Sequence, residues 1–107
     1  MVNLIIETFC KERGIAPSDL DNPKRKSKVW ITRYMIWHYM HYNLSMSAGK
    51  LSRLFKRNIP SIFRGIRIIK HQFKYHEELR AEYYGIVSKL EGMTNATPSE
   101  DMMEEKN

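Results

Sequence analysis

Ser47-Ala48-Gly49-Lys50-Leu51-Ser52-Arg53-Leu54-Phe55-Lys56-Arg57-Asn58-Ile59-Pro60-Ser61-Ile62-Phe63-Arg64-Gly65-Ile66-Arg67-Ile68-Ile69-Lys70-His71-Gln72-Phe73-Lys74 reads as a short helix, a tight turn and a longer helix. Ser47 is placed to cap the first helix, because its hydroxyl can accept from a backbone N–H of the first turn. Leu51, Leu54 and Phe55 then share one face. Asn58 is placed to cap the second helix, with Pro60 in its first turn where the missing N–H costs nothing. In that helix Ile62, Ile66, Ile69 and Phe73 follow one another at four, three and four residues and form one apolar stripe. Arg64, Arg67, His71 and Lys74 lie roughly opposite at about 100° per residue. One face packs inward and the other offers positive charge, which is the layout of a helix-turn-helix with a recognition helix. A merely solvated basic face would read the same way here, so the rest of the chain has to weigh in.

Working outward, the strongest signal is where acids are missing. Between Asp21 and Glu77 there is no Asp or Glu, while thirteen Lys and Arg occupy those 55 positions. A solvated surface normally mixes both signs. A long acid-free basic window suits a polyanion, since each cation placed at a phosphate releases condensed counterions. RNA or an anionic membrane would accept the same charge. Residues 91–107 have the opposite character: five acids against Lys106 give −4, which leaves +10 of the net +6 on residues 1–90.

Upstream of the quoted stretch, Val29–Tyr42 is the most hydrophobic segment and reads as a central helix. Ile31, Met35, His38 and Tyr42 form one stripe, and Trp30, Tyr34, Trp37 and His41 another. The aromatic stripe is either core or a face for a protein partner or second copy, through Trp30, Tyr34 and Trp37. His38 and His41 lack a third ligand at useful spacing, so no metal is expected. The preceding loop, Asp21–Lys28, carries Lys24, Arg25, Lys26 and Lys28 and is positioned to reach a phosphate backbone or a minor groove. Residues 2–13 read as an amphipathic helix with Leu4, Ile5, Thr8 and Phe9 inward and Gly14 as its cap. A helical turn is expected around Ser18–Leu20. Downstream, Glu77–Leu90 places Leu79, Tyr83, Ile86 and Leu90 on one face, with Gly92 ending the helix. The expected organisation is one all-α domain over 1–90, a compact bundle of about five helices, followed by an acidic, disordered tail over 91–107.

Other classes are disfavoured. No apolar run approaches the roughly 20 residues that span a bilayer, and Glu7 interrupts the apolar start, so neither a membrane span nor a signal peptide is expected. The single Cys10 excludes an internal disulfide and a cysteine-based zinc site. A cytoplasmic location follows as the default. There is no Gly-rich phosphate loop, paired catalytic carboxylates or Ser/His/Asp set, so neither an enzyme nor a cofactor is expected.

Read together, residues 3–90 resemble the C-terminal DNA-binding domain of the bacterial chromosomal replication initiator DnaA, an all-helical domain related in fold to the Trp repressor. Phe9 with Ser18-Asp19-Leu20 is similar to that family's first helix and following turn. Lys24-Arg25-Lys26 sits where the family has its basic loop, and Arg33-Tyr34-Met35 resembles the start of its long helix. Ser47 through Leu51-Ser52-Arg53-Leu54-Phe55 is similar to its Ser-Leu-x-Glu-Ile-Gly-x-x-Phe helix. Beyond it the family reads Gly-Gly-Arg-Asp-His-Thr/Ser-Thr-Val, and this chain reads Lys56-Arg57-Asn58-Ile59-Pro60-Ser61-Ile62. Arg57 is the one identity, with Asn58 and Ser61 as conservative stand-ins. Ile59 and Pro60 replace polar groups that read base edges in the family's nine-base box.

The resemblance implies double-stranded DNA binding without ATPase activity, in a replication or regulatory setting. Ser61 and Arg64 would lie nearest the bases. Lys50, Lys56 and Arg57 would hold phosphates, Asn58 stands where the family's Asp reads a base edge, and Lys24, Arg25, Lys26 and Lys28 would touch the flanking backbone or minor groove. The alternative is a protein-interaction module or mobile-element regulator that keeps the fold and has lost box-specific reading.

Overall fold

The computed structural model describes residues 1–21 and 26–94. Among them the chain forms five α-helices: α1 (Val2–Arg13), α2 (Ser27–Asn43), α3 (Ala48–Phe55), α4 (Ile59–Tyr75) and α5 (Glu77–Thr94). A 3-10 turn over Pro17–Asp21 lies between α1 and α2. No strand occurs among the described residues, and the expected all-α class holds. Lys24 and Arg25 lie outside the described residues, as does the tail from Asn95 onward.

The central helix is α2, which packs against α1, α3 and α4; α4 in turn packs on α3 and α5, and α5 closes back on α1. This follows from composition. A helix apolar around most of its girth has to be covered on several sides, and Met35, Ile36, Trp37 and Met40 are all within 1% of full burial. Ile5 and Phe9 of α1, Leu51 of α3, Ile62 and Ile69 of α4, and Leu90 of α5 complete the core.

α2 and α4 approach closely at Gly65. A Cβ placed there would stand 2.7 Å from Tyr34 Cδ1 and 2.8 Å from Trp37 Cε3 and Cζ3. Two large rings therefore lie directly on the α4 backbone. Trp37 is 1% exposed and ringed by Tyr34 and Phe55, with centroids 5.3 and 5.9 Å away. Trp37 is a core residue, so of the two readings of the aromatic stripe the core one holds for this ring, which is too buried to anchor a partner. Trp30 and Tyr34 are half-buried. Trp37 Nε1 finds no acceptor among the described residues.

Local chemistry sets the helix ends. Gly14 adopts the left-handed conformation (φ 74°, ψ 33°), and Ile15 N–H reaches back 2.9 Å to the Cys10 carbonyl, as a Schellman-type end requires. Ser47 Oγ accepts from Lys50 N–H at 3.1 Å and Asn58 Oδ1 from Ser61 N–H at 2.9 Å, so both expected caps form. The α2–α3 corner is pinned by His41, whose Nδ1–H donates to the Met46 carbonyl at 2.8 Å. Arg33 donates twice to the Leu20 carbonyl, at 2.6 and 3.1 Å, and ties the 3-10 turn to α2. Arg13 does the same between helices, donating to Thr32 and pairing with Glu82.

At the far end, only His76 separates α4 from α5. It is extended, with φ −126° and ψ 91°, and its N–H donates to Gln72 O at 2.8 Å. Arg80 Nη1 donates to Phe73 O across this corner. Glu77 and Glu78 follow at once in the first turn of α5, where negative charge suits the positive helix end.

Several boundaries and faces differ from the sequence reading. Leu4 and Leu54 are 38% and 43% exposed rather than inward. The inward face of α3 is Ala48, Leu51 and Phe55, and Leu54 falls off it. Ser27 and Lys28 are not loop but the first turn of α2. Gly92 does not stop α5, which continues to Thr94, so the helical region extends past residue 90; Met93 Sδ lies 4.0 Å from Thr8 Oγ1 of α1.

Candidate nucleic-acid interface

The turn between α3 and α4 consists of Lys56, Arg57 and Asn58, and the backbone fixes its shape. Lys56 is left-handed (φ 56°, ψ 48°), a conformation that disfavours a Cβ. The Lys56 and Arg57 N–H groups both reach the Ser52 carbonyl, and Ser52 Oγ donates to the Arg57 carbonyl. These bonds hold both N–H groups and the Arg57 carbonyl, while the Lys56 side chain is exposed and that of Arg57 is half-buried. Neither side chain has a hydrogen-bond or ion-pair partner among the described residues.

From this turn α4 sets its two faces. Ile62, Gly65, Ile66, Ile69 and Phe73 are buried, and Arg64, Arg67, Lys70, His71 and Lys74 are exposed. The ion pairs Arg13–Glu82 and Lys89–Glu12 use cations outside the acid-free window. Arg64, Arg67 and Lys74 have no acidic partner among the described residues. An unneutralised row of cations on one helix face produces a positive potential that counter-ions or a polyanion must meet.

The sequence-selected residues fall into separate groups. Lys56, Arg57, Asn58, Ser61 and Arg64 lie at the α3–α4 turn and the first turns of α4, whereas Lys50 sits at the other end of α3, in its first turn. The Asn58 side-chain carbonyl is engaged as the cap, and Ser61 is half-buried. Lys26 and Lys28 are exposed at the start of α2, but Lys28 Nζ leans to within 3.6 Å of the Cβ position at Gly14, placing it at the α1–α2 junction. Lys24 and Arg25 lie outside the described residues.

The structure adds Arg33 to the turn region. Burial holds its guanidinium pKa below the usual range, and the positive charge of Arg57 adds to this. Its hydrogen bonds go to Leu20, so it supports rather than presents charge. A groove of about 600 Å³ also opens beside the turn, with Val2, Ile6, Pro17, Leu20, Leu54 and Phe55 as apolar lining, Lys56 and Arg57 as basic residues and Asp21 as an acidic one. Leu54 gives no signal of it in the sequence, where it reads as sharing a face with Leu51 and Phe55.

Among the described residues no group of three His, Cys, Asp or Glu is arranged to hold a metal ion, and no helix is long and apolar enough to cross a membrane. His38, the most perturbed histidine, is engaged in the core: its Nδ1 lies 2.7 Å from Tyr83 Oη. Burial lowers its pKa to about 4, with Lys70 and His41 adding like charge. Cys10 is buried, and burial raises its thiol to about 11, which keeps it protonated and unreactive.

These features define an all-helical domain with a basic helix face. No family model matches the chain, and neither curated proteins nor solved structures give a significant match.

Proposed function

We propose that this domain binds double-stranded DNA, with α3, the Lys56–Asn58 turn and α4 acting as a helix-turn-helix and the first turns of α4 entering the major groove. The observation that carries this reading is the row of exposed, acid-free cations on α4, which begins at a capped turn presenting Lys56 and Arg57. The resemblance of residues 3–90 to the C-terminal domain of the replication initiator DnaA supports the same assignment. Arg64 and Ser61 approach base edges, while Lys50, Lys56 and Arg57 hold phosphates. Ile59, 44% exposed, and Pro60 stand at the tip where polar readers would be needed. Affinity is therefore dominated by backbone contacts and falls steeply with salt.

The test replaces Arg57 and Arg64 together by Ala and measures duplex affinity by fluorescence anisotropy across a salt series. Neither side chain holds the fold through a hydrogen bond, so helicity by circular dichroism should be unchanged while duplex binding is lost. Undiminished affinity in the double variant would refute the site. Wild-type preference for the initiator's nine-base box over a scrambled duplex would favour an origin-linked role, and equal affinity a regulatory or mobile-element protein.

A second reading, a protein-interaction module that keeps this fold, rests on the apolar groove beside the turn and the exposed Leu54. It predicts no duplex binding even at low salt.

A further inference from the structure

One strip of α4 differs from the rest of its outer face. Ile59, Phe63, Arg67, Lys70 and Lys74 recur at four, four, three and four residues, so they form a single line beside the buried stripe. This line faces the C-terminal end of α2. Lys70 Nζ lies 3.2 Å from Tyr42 Oη and 5.1 Å from the centre of that ring. His41 meets Phe63 edge-on at 6.5 Å and Tyr42 edge-on at 4.8 Å. Two aromatic rings, Tyr42 at 50% and Phe63 at 51% exposure, thus stand in water beside Lys70 and His41, on the side of α4 that also carries the exposed Arg67 and Lys74.

A solvated basic face has no use for half-exposed rings, since each leaves apolar area in water. A protein core would have taken them in. What matches both features is a chain of phosphates carrying flat, unpaired bases. Aromatic side chains stack such bases whatever their identity, while nearby cations follow the backbone. The strip lies within the acid-free window, and the charges bearing on His38 beside it are those of Lys70 and His41, both basic.

We propose that this strip is a track for single-stranded nucleic acid, with bases stacking on Phe63 and Tyr42 and phosphates meeting Arg67, Lys70 and Lys74. It shares α4 and part of its basic row, Arg67, Lys70 and Lys74, with the duplex site, but is centred on a different side of the helix. Phe63 and Lys70 lie about 100° around the helix from Arg64 and His71, and Arg67 lies between them. Beyond these residues the strand site shares with the duplex reading only the premise that the basic face meets a polyanion. From Phe63 to Lys74 the helix rises about 16 Å, enough for a short run of nucleotides.

The test uses the full chain and three labelled probes of about twelve residues each, within known single-strand site sizes: oligothymidylate, an abasic deoxyribose-phosphate strand of equal charge, and a mixed duplex. Oligothymidylate should bind at least about tenfold tighter than the abasic strand, as stacking of one or two bases implies. Tyr42→Ala with Phe63→Ala should weaken oligothymidylate binding by about ten- to a hundredfold while leaving duplex affinity within about twofold. Tyr42→Phe should retain binding, because the ring remains. Since Tyr42→Ala also removes the Lys70 contact, Phe63→Ala alone provides the check if the double variant loses helicity.

Equal affinity for the thymidylate and abasic strands would overturn the proposal, because charge alone would then account for binding. Unchanged strand affinity in Phe63→Ala and the double variant would do the same. Strand binding that survives Arg57→Ala with Arg64→Ala, in a protein that ignores duplex, would support this site while refuting the duplex reading.

Discussion

Replacing Gly65 by Ala tests the packing on which the whole arrangement depends. Carbon atoms in good contact sit about 3.5–4.0 Å apart, whereas a Cβ at this position stands 2.8 Å from two atoms of Trp37 and 2.7 Å from Tyr34. The rings would have to withdraw by about 0.7 Å or more to reach that contact distance. Tyr34 is half-buried between Trp30 and Trp37, and Trp37 is 1% exposed and held between Tyr34 and Phe55. Overpacking of this kind costs about 1–3 kcal/mol, and the immobile indole puts Gly65→Ala toward the upper part. Against it stands a gain of about 1 kcal/mol from the higher helix propensity of Ala. The expected net destabilisation is about 1–2 kcal/mol, a fall in Tm of roughly 5–15 °C for a domain of this size. Gly85→Ala is the internal control: a Cβ there meets nothing within 4 Å, so only the propensity gain remains. It should raise Tm by several degrees, at about 1 kcal/mol or less. Thermal and urea unfolding followed by circular dichroism reads both. If Gly65→Ala melts at or above the wild-type temperature, α2 and α4 do not cross as closely as described and the placement of the basic face is wrong with it.

His38 has a folded pKa of about 4, below the ordinary histidine value, so the unfolded chain binds more protons between about pH 6.5 and 4. Stability should therefore fall as pH drops through that window. His38→Gln should show a smaller loss between pH 7 and pH 4.5 by urea unfolding, and an identical pH profile in the two proteins would refute the assignment. Lys56→Gly relieves a left-handed backbone at a non-glycine residue and should stabilise the fold by about 0.5–1 kcal/mol. The same change removes a proposed phosphate contact, so the slope of log duplex affinity against log salt should shrink by about 0.9. A more stable protein with an unchanged slope would take Lys56 out of the interface.

Much of the fold is legible in the sequence because its signals are local. Ser47, Asn58 and Gly14 announce helix ends through chemistry within a few residues, and the Ile62–Ile66–Ile69–Phe73 stripe fixes which side of α4 turns inward. The readings that fail depend on distant partners. The girth of α2 is apolar nearly all round, so periodicity could not say which aromatic ring is covered; the notch at Gly65 decides that Trp37 is. Gly92 is a weak helix breaker, costing about 1 kcal/mol, and the helix continues through it to place Met93 beside Thr8. Within the candidate site the cations were readable from the missing acids. The exposed rings of Tyr42 and Phe63 were not, because their positions beside Lys70 and His41 require α2 and α4 to be set against each other.

The one-residue corner at His76 has an electrical meaning as well as a geometric one. On one side of it α4 ends with Lys74, and on the other α5 begins with Glu77 and Glu78. The sign of the charge thus reverses within a few residues, across a joint too short to bend freely. In the field of a polyanion such a sign change exerts a torque: the α3–α4 end is drawn in while the α5 end is pushed away. The molecule is turned toward one pose before any side chain touches its target, and added salt should slow arrival more than it speeds departure.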